Sequence, residues 1–506
     1  MGAAQTVEHS SPDRIVSINP ATGERLGEVP DMSPEQVRAA VDAAHVAQRG
    51  WANLPIKERC RRVKRFAGEL MSRAEEVIDL IVAEGGKTRQ EALGMEVGVV
   101  ADLVNYFAKH APRLLAPEPI PLHLFKHRSS YVHYVPRGVV GVIAPWNFPF
   151  CIPIGEVMMA LIAGNGVVLK PSEVTPLIAL KAKQLYDDCG LPRDLFQVVT
   201  GRGAAGAALV DSDIQFCVFT GSVATGKKVA AACGERLIPC TMELGGKAPV
   251  VVCADADLER AAKAITWGGF ANSGQICCSV ERVYAHQSIH DELVERIVRE
   301  TNALRQGDGS RDDVDVGAMT WDRQVDNVEK LVNAAVDGGA KVAAGGKRRA
   351  GDGMFFEPTV LTRVNHDMDV MRHEIFGPVI PIMQVVSEAE AVSLANDSHL
   401  GLLAYVFTKD RAKGKRIAER IEAGTVMIND VLATYGCPET PWGGVKMSGV
   451  GRTHSVIGLR DLCELRHVNH DRVALKRELW WYPYSNRGYK LMLRGMRLLL
   501  GRRGRG

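Results

Sequence analysis

The stretch Phe216–Gly246, FCVFTGSVATGKKVAAACGERLIPCTMELGG, runs from an apolar segment through a glycine-containing turn and a helical segment to a second apolar segment. Strand, turn, helix and strand in that order form the repeating unit of a parallel sheet. The alternation continues on both sides. Upstream, SSYVHYVPRGVVGVIAPW (129–146), GNGVVLKPSE (164–173) and FQVVTG (196–201) read as strands and their exits, with LIALKAKQLYDDCG (177–190) as a helix among them. Downstream, APVVVC (248–253), SVERVYAHQ (279–287), PVIPIMQVV (378–386) and TVMIND (425–430) mark a second alternating block, from about 250 to 447. Before residue 129 the texture is helical. SPEQVRAAVDAAHVAQRGW (33–51) opens on the cap Ser33, and KERCRRVKRFAGELMSRAEEVIDLIVAEGG (57–86) closes at Gly85. The expectation is an α/β chain of two domains with appendages, without internal repeats or low-complexity linkers.

Bulk properties agree. A chain of 506 residues exceeds one compact core, and 46% hydrophobic with 24% charged residues is ordinary globular composition. The net charge of +3 argues against a surface built for nucleic acid. The 11 cysteines, scattered from Cys60 to Cys463, contain no CxxC pair, so no metal site is expected. Reduced thiols and a cytoplasmic location are the default, because the first residues lack the apolar core of a secretory signal. Met1-Gly2 and Thr6 formally fit a myristoylation pattern, a match that arises often by chance. The uncharged run Gly138–Gly155 carries Pro145, Pro149 and Pro153 and reads as buried strand and loop rather than a membrane span.

Three strand exits are candidates for binding a dinucleotide. GRGAAG (201–206) fits GxGxxG, but the next strand lacks the acidic residue of that fingerprint, so it reads as a turn former. FTGSVATGKKVA places Gly221, Ser222 and Gly226 at a strand-to-helix turn whose free amides suit phosphate. VVLKPSE ends a strand with Lys170 and Glu173, a donor and an acceptor for ribose hydroxyls; alone, it would read as a surface ion pair. In GFANSGQICCSVER (269–282) Cys277 and Cys278 are adjacent. Such a pair reads as a redox couple, half a metal site, or a nucleophile beside a bystander.

The ordered series PWNFP (145–149), LKPSE (169–173), FTGS (219–222), ELGGK (243–247), GQICC (274–278), EIFGPV (374–379) and PWGGVKMSGVGR (441–452) closely resembles the aldehyde dehydrogenase superfamily, over residues 15–468. The resemblance implies a Rossmann-type cofactor domain (1–128 and 137–245), an α/β catalytic domain (246–447), and a small β oligomerisation element (129–136 and 448–470) followed by an extension (471–506). It assigns Cys277 as nucleophile, which suits a thiolate that adds to a carbonyl and later leaves from a thioester. Asn147 and the Cys277 amide become the oxyanion donors, and Glu243 the base that activates water against the thioester. Glu243 also implies release of a free acid, since relatives that transfer the acyl group to coenzyme A generally lack it. Trp146, Leu244, Glu374 and Phe376 fall to the cofactor, with Glu374 on the nicotinamide ribose; Ile276, Cys278 and Trp442 fall to the substrate channel. Glu173 favours NAD, a fixed carboxylate repelling a 2′-phosphate, with NADP as the alternative.

Two positions depart from the family's pattern. Many hydrolytic members carry Trp-Lys where this chain has Gly155 and Glu156, which is expected to widen the channel. Their frequent glutamate after SGxGR is Thr453 here. Glu156 reads either as a proton relay or as a structural carboxylate. Beyond Val468 the tail carries Arg487, Lys490, Arg494, Arg497, Arg502, Arg503 and Arg505, with no acid after Ser485. Tyr489, Met492, Leu493, Met496, Leu499 and Leu500 share one helical face, and WWYPY (480–484) precedes it. Residues 480–506 are therefore expected either on an anionic membrane surface or across an oligomer interface. The resulting expectation is an NAD(P)-dependent dehydrogenase of lipophilic medium- or long-chain aldehydes, homo-oligomeric, cytoplasmic and peripherally membrane-associated. Semialdehydes or aromatic aldehydes are the alternative substrates, and a non-catalytic protein on the same fold is the alternative class.

Overall fold

A computed structural model describes residues 13–478 and 480–501; the Met1-Gly2 pattern lies outside them. Contacts divide the chain into two units, Met1–Leu115 with Val135–Glu464, and Ala116–Tyr134 with Leu465–Gly506.

The larger unit holds two open sheets. In the six-stranded sheet the order is Gly449–Val450, Cys240–Glu243, Phe216–Thr220, Val139–Ile143, Gly166–Lys170 and Phe196–Val198. All are parallel except Gly449–Val450, which runs antiparallel to Cys240–Glu243. Chain order reverses between Val139–Ile143 and Phe216–Thr220, the kind of switch point at which strand ends leave a crevice for ligand. Register aligns those ends: Ile143 pairs with Lys170 and Phe219, and Thr220 pairs with Glu243. The strands are buried along almost their whole length, as parallel strands covered on both faces must be. Lys341–Ala344, Thr359–Thr362, Val379–Val385, Val280–His286, Ala248–Val252, Leu403–Phe407 and Thr425–Ile428 make the seven-stranded sheet. Only Lys341–Ala344 is antiparallel there.

The helix Pro34–Ala52 has the expected cap, with Ser33 and Gln36 forming a reciprocal capping box. The run read as one helix to Gly85 is two, Ile56–Ser72 and Ala74–Gly85, broken where Arg73 leaves helical geometry at φ −119° and ψ 25°. Gly86, at φ +78°, is the actual cap. The uncharged run is strand and loop as far as Phe150, then opens the helix Cys151–Ala163. Pro153 sits in that helix's first turn, where a missing N–H breaks no intrahelical bond. GRGAAG leads into the helix Gly203–Asp211, and the Arg202 amide donates to Asp31 Oδ1 at 3.0 Å.

In the smaller unit, Glu118–Pro119 and Arg128–Pro136 form a three-stranded sheet with Cys463–Asp471. The appended strand is thus shorter than the expected 448–470 segment. Gly449–Val450 belongs to the six-stranded sheet, and Ser455–Asp461 is a helix. His127, Asp471 and Glu478 bring three ligand-type atoms within 4.8 Å of one another. Arg128 Nη2 already stands 3.2 Å from Glu478 Oε1, so that carboxylate has its cation. The tail forms the helix Asn486–Leu500, capped by Ser485, whose hydroxyl accepts the Gly488 amide at 3.1 Å. None of its side chains is buried, and Leu498, Leu499 and Leu500 are each more than 60% exposed. Among the described residues no helix is long and apolar enough to cross a membrane.

One glycine controls how two loops of the seven-stranded sheet meet. Gly274 has φ +71°, and a Cβ there would lie 2.1 Å from the Gly377 carbonyl oxygen. Gly274→Ala is expected to cost at least about 2 kcal/mol through strain and the clash together. An unchanged thermal midpoint for the variant would contradict this.

Candidate active site

The segment before the cysteine pair is folded tightly. Asn272 and Ser273 occupy the left-handed region at φ 48° and 53°, and Gly274 follows at φ 71°. Non-glycine residues hold such conformations only when their surroundings over-determine them. Here they do. Gln275 is fully buried; its Nε2 donates to the Asn272 carbonyl at 2.9 Å, and its Oε1 accepts the Thr320 amide at 2.9 Å. The Asn272 amide donates to Glu91 Oε1 at 2.7 Å. A turn then closes from the Ser279 amide to the Ile276 carbonyl at 2.8 Å, with Cys277 and Cys278 at its centre. Cys277 remains partly open, whereas Cys278 is buried, its carbonyl accepting the Tyr405 hydroxyl at 2.6 Å.

Two strand ends converge on this turn. The loop after Val139–Ile143 carries Asn147, whose Nδ2 donates to the Gln275 carbonyl at 2.8 Å. Its second amide hydrogen is left for another acceptor. Glu243 ends its strand with both carboxylate oxygens buried and without a hydrogen-bond partner among the described residues. A buried unsatisfied acceptor pair is costly and calls for a ligand or water beside it. Next in the chain, a Cβ on Gly246 would stand 2.0 Å from the Cys277 carbonyl oxygen, so only glycine lets the two backbones approach.

Cys277 and Glu243 face a cavity of about 720 Å³. Met95, Val99, Ile152, Trp267, Phe270 and Leu304 supply much of its wall. Glu156, Ile276, Cys278 and Trp442 line it as expected; Gly155 does not. Gly155 was expected there; the atom nearest to a Cβ built on it is Leu103 Cδ1, at 3.4 Å. The residues at the cavity include the carboxyls Glu91, Glu156, Glu243, Glu300 and Asp315 against the single cation Lys263. That lysine is itself paired with Glu259 at 2.9 Å.

These carboxyls shape the titration of the site. The hydrogen bond with Cys278, burial, and the Glu374 and Glu243 charges all push the Cys277 thiol well above its ordinary value. At rest Cys277 is therefore a thiol rather than a thiolate. Burial, then the Glu156 charge, push Glu243 well up, with Arg452 opposing. Burial raises Glu156 to about 7, against the Thr453 hydroxyl that donates to its Oε1.

The residues expected at the cofactor gather in pairs. Lys170 Nζ lies 3.2 Å from Glu173 Oε2, the lysine buried and the carboxylate 44% exposed. Ser222 caps the helix Val223–Glu235, accepting the Thr225 amide at 3.3 Å, and the Gly221 amide donates to the Glu243 carbonyl at 3.0 Å. Gly226 packs on Leu244, where a Cβ would fall 2.4 Å from Cδ2. Glu374 Oε1 accepts the Gly246 amide at 2.9 Å, and Trp146 meets Phe376 edge-on with centroids 5.3 Å apart. Buried Glu281, absent from the expected set, holds this corner: it takes Lys247 Nζ at 2.9 Å and the Phe376 amide at 2.8 Å. Lys87, Glu96 and Asn272 were likewise missed. Each reaches the Asn147–Cys151 loop from far away in sequence, and no local spacing marks that contact.

Comparison with known proteins agrees with this arrangement. A profile of the aldehyde dehydrogenase family matches residues 6–468. The chain is 38% identical over 478 residues to the 4,4′-diapolycopene aldehyde oxidase of a Methylomonas species, covering 94% of this chain and 89% of that protein. It belongs to the aldehyde dehydrogenase family. A putative NADP(+) succinate-semialdehyde dehydrogenase of Mycolicibacterium smegmatis is 39% identical over 454 residues, 89% of this chain and 88% of that one. A solved NAD+ complex of a Bacillus cereus aldehyde dehydrogenase superposes with a TM-score of 0.87 at 34% identity, covering 90% and 93% of the two chains.

In this aldehyde dehydrogenase Glu156 makes stability depend on pH. Its folded value, about 7, lies above the ordinary 4.5. Its contribution is therefore full below pH 4.5 and is lost as pH rises through 7. Glu156→Gln should be near neutral at pH 5 and stabilising by roughly 3 kcal/mol at pH 8. Urea unfolding at both pH values checks this; an equal effect at both would contradict it.

Proposed function

We propose that this aldehyde dehydrogenase converts lipophilic, medium- to long-chain aldehydes to free carboxylic acids. The observation that carries the reading is the cavity, with apolar walls and an excess of carboxyls, leading to Cys277 and Glu243. The Cys277 sulfur adds to the carbonyl carbon, and Glu243 receives the thiol proton. The Cys277 amide and the uncommitted hydrogen on Asn147 Nδ2 stabilise the oxygen that becomes negative. Bound NAD(P)+ supplies the hydride acceptor that turns the adduct into a thioester. Glu243 releases the thiol proton to solvent, takes another from water as the water oxygen attacks the thioester carbon, and returns it to the Cys277 sulfur as the C–S bond breaks and the acid leaves.

The cofactor reading rests on the donor set. The amides opening Val223–Glu235 suit a pyrophosphate, and exposed Glu173 suits unmodified ribose hydroxyls, favouring NAD over NADP. Cofactor binding is assigned to 1–128 and 137–245, and catalysis to 246–447. For substrate, the Methylomonas relative's name points to 4,4′-diapolycopene aldehyde and the mycobacterial one's to succinate semialdehyde. With apolar walls and, among the described lining residues, only the already paired Lys263 as a cation, the cavity disfavours a carboxylate-bearing semialdehyde. We further assign residues 129–136 and, from the expected 448–470 segment, the strand Cys463–Asp471 to homo-oligomer formation, and 480–506 to contact with an anionic membrane surface. Exposed leucines and arginines on Asn486–Leu500 support the latter, as do half-exposed Trp481 and exposed Tyr482 and Tyr484.

Cys277→Ala should lower aldehyde-dependent NADH formation more than about 10³-fold. Glu243→Gln should slow both the single-turnover burst and steady turnover, by about 10²-fold. Across straight-chain aldehydes kcat/KM should rise about fourfold per methylene until the cavity fills; succinate semialdehyde outrunning decanal would reverse the substrate reading. Removing residues 485–506 should abolish sedimentation with phosphatidylserine vesicles and leave oxidation of a soluble aldehyde intact. Undiminished sedimentation would refute the membrane reading.

A further inference from the structure

Beneath Asn147 lies a charged pair that the reaction itself does not call for. Lys87 and Glu96 are 1% and 0% exposed, their side chains paired at 2.5 Å. The other donor bond of Lys87 Nζ goes to the Asn147 backbone carbonyl at 2.8 Å, and the ammonium sits 4.3 Å from the Phe148 ring centre. Glu96 Oε2 accepts the Phe150 and Cys151 amides, both at 2.9 Å, at the start of the helix Cys151–Ala163. A carboxylate at a helix N-terminus receives both hydrogen bonds and the helix dipole. Glu96 lies in a π-helical turn, Ala92–Val97, a widening of the helix that recurs at functional sites. The Asn147 carbonyl also accepts Asn272 Nδ2 at 3.0 Å, from the loop that carries Cys277.

We propose that the Lys87–Glu96 pair is a positioning device for the oxyanion donor. It grips the Asn147–Cys151 loop at Asn147, Phe148, Phe150 and Cys151 and fixes the Asn147 amide relative to the Cys277 turn. Buried ion pairs are a poor source of net stability, and a matched neutral pair often replaces them without loss. What the charges add here is direction, because Lys87 aims one donor at one carbonyl while Glu96 holds the amides beyond it. Donors around an oxyanion must be held to within a fraction of an ångström, and a misplacement of about 1 Å costs on the order of 10²-fold in rate. Lys87 and Glu96 touch no reacting atom, so both are positioning residues.

The inference rests on Asn147 acting as oxyanion donor, and a double-mutant cycle separates the two ideas. Asn147→Ala is compared in the native chain and in the neutral variant Lys87→Met/Glu96→Gln, using kcat/KM for decanal with NAD. In the native chain Asn147→Ala is expected to cost about 10²-fold. In the neutral variant, itself about 10²-fold slower, it should cost less than about threefold. Alkylation of Cys277 by iodoacetamide, which needs no oxyanion, should stay within about twofold of the native rate. An equal cost of Asn147→Ala in both backgrounds overturns the positioning role. No cost in the native chain overturns the oxyanion role of Asn147 instead. Should the neutral variant not fold, Glu96→Asp, which keeps the charge and shortens the arm by one methylene, enters the same cycle under the same criteria.

Discussion

Two loops from different sheets meet at the Asn147 peptide. Its carbonyl accepts Lys87 and Asn272, and its side-chain amide donates to the Gln275 carbonyl. These bonds run between buried groups, where an unmade partner is expensive, so the cluster is held as a whole or lost as a whole. The loop that carries Cys277 can therefore sit in left-handed geometry at Asn272 and Ser273, conformations a free chain would abandon. Cys277 then emerges at the tip of a turn whose stem has no freedom to drift.

Around this junction the structure separates two environments. Toward the cavity lie the partly open Cys277, the unsatisfied Glu243 and the Glu156–Thr453 pair. Away from it lie Lys170–Glu173, the capped helix at Ser222, and Trp146 against Phe376. Leu244 faces the cavity and packs on Gly226, so the strand end Glu243–Leu244 divides the two sides. Carboxyls dominate the electrostatics. The Cys278 hydrogen bond and burial raise Cys277, burial and then the Glu156 charge raise Glu243, and burial alone raises Glu156, so all three resist ionisation.

Much of this was legible in the chain itself. The βαβ texture around Phe216–Gly246 pointed to parallel sheets, because covered strands must be apolar throughout. The ordered motifs led to family membership, and Cys277, Glu243 and Asn147 do come together. Local reading failed where a property depended on a remote partner. The break at Arg73 interrupts an unbroken amphipathic pattern. Gly155 was expected at the channel, yet it is not among the residues that line the cavity. The segment 448–470 was expected as one element, although its first strand joins Glu243 in another sheet.

By itself the sequence determined fold class, motif order and the chemical types available: a thiol, a carboxylate, an amide and a glycine-rich turn. These follow from short-range periodicity and residue chemistry, which a linear string records. Tertiary structure alone decided which carboxyls face the thiol and which backbone carbonyl Lys87 grips. It also decided that Glu281 orders the Phe376 loop and that one paired lysine is the only cation among the cavity residues. Burial and charge coupling depend on distances between residues far apart in the chain, and only the folded packing sets those distances.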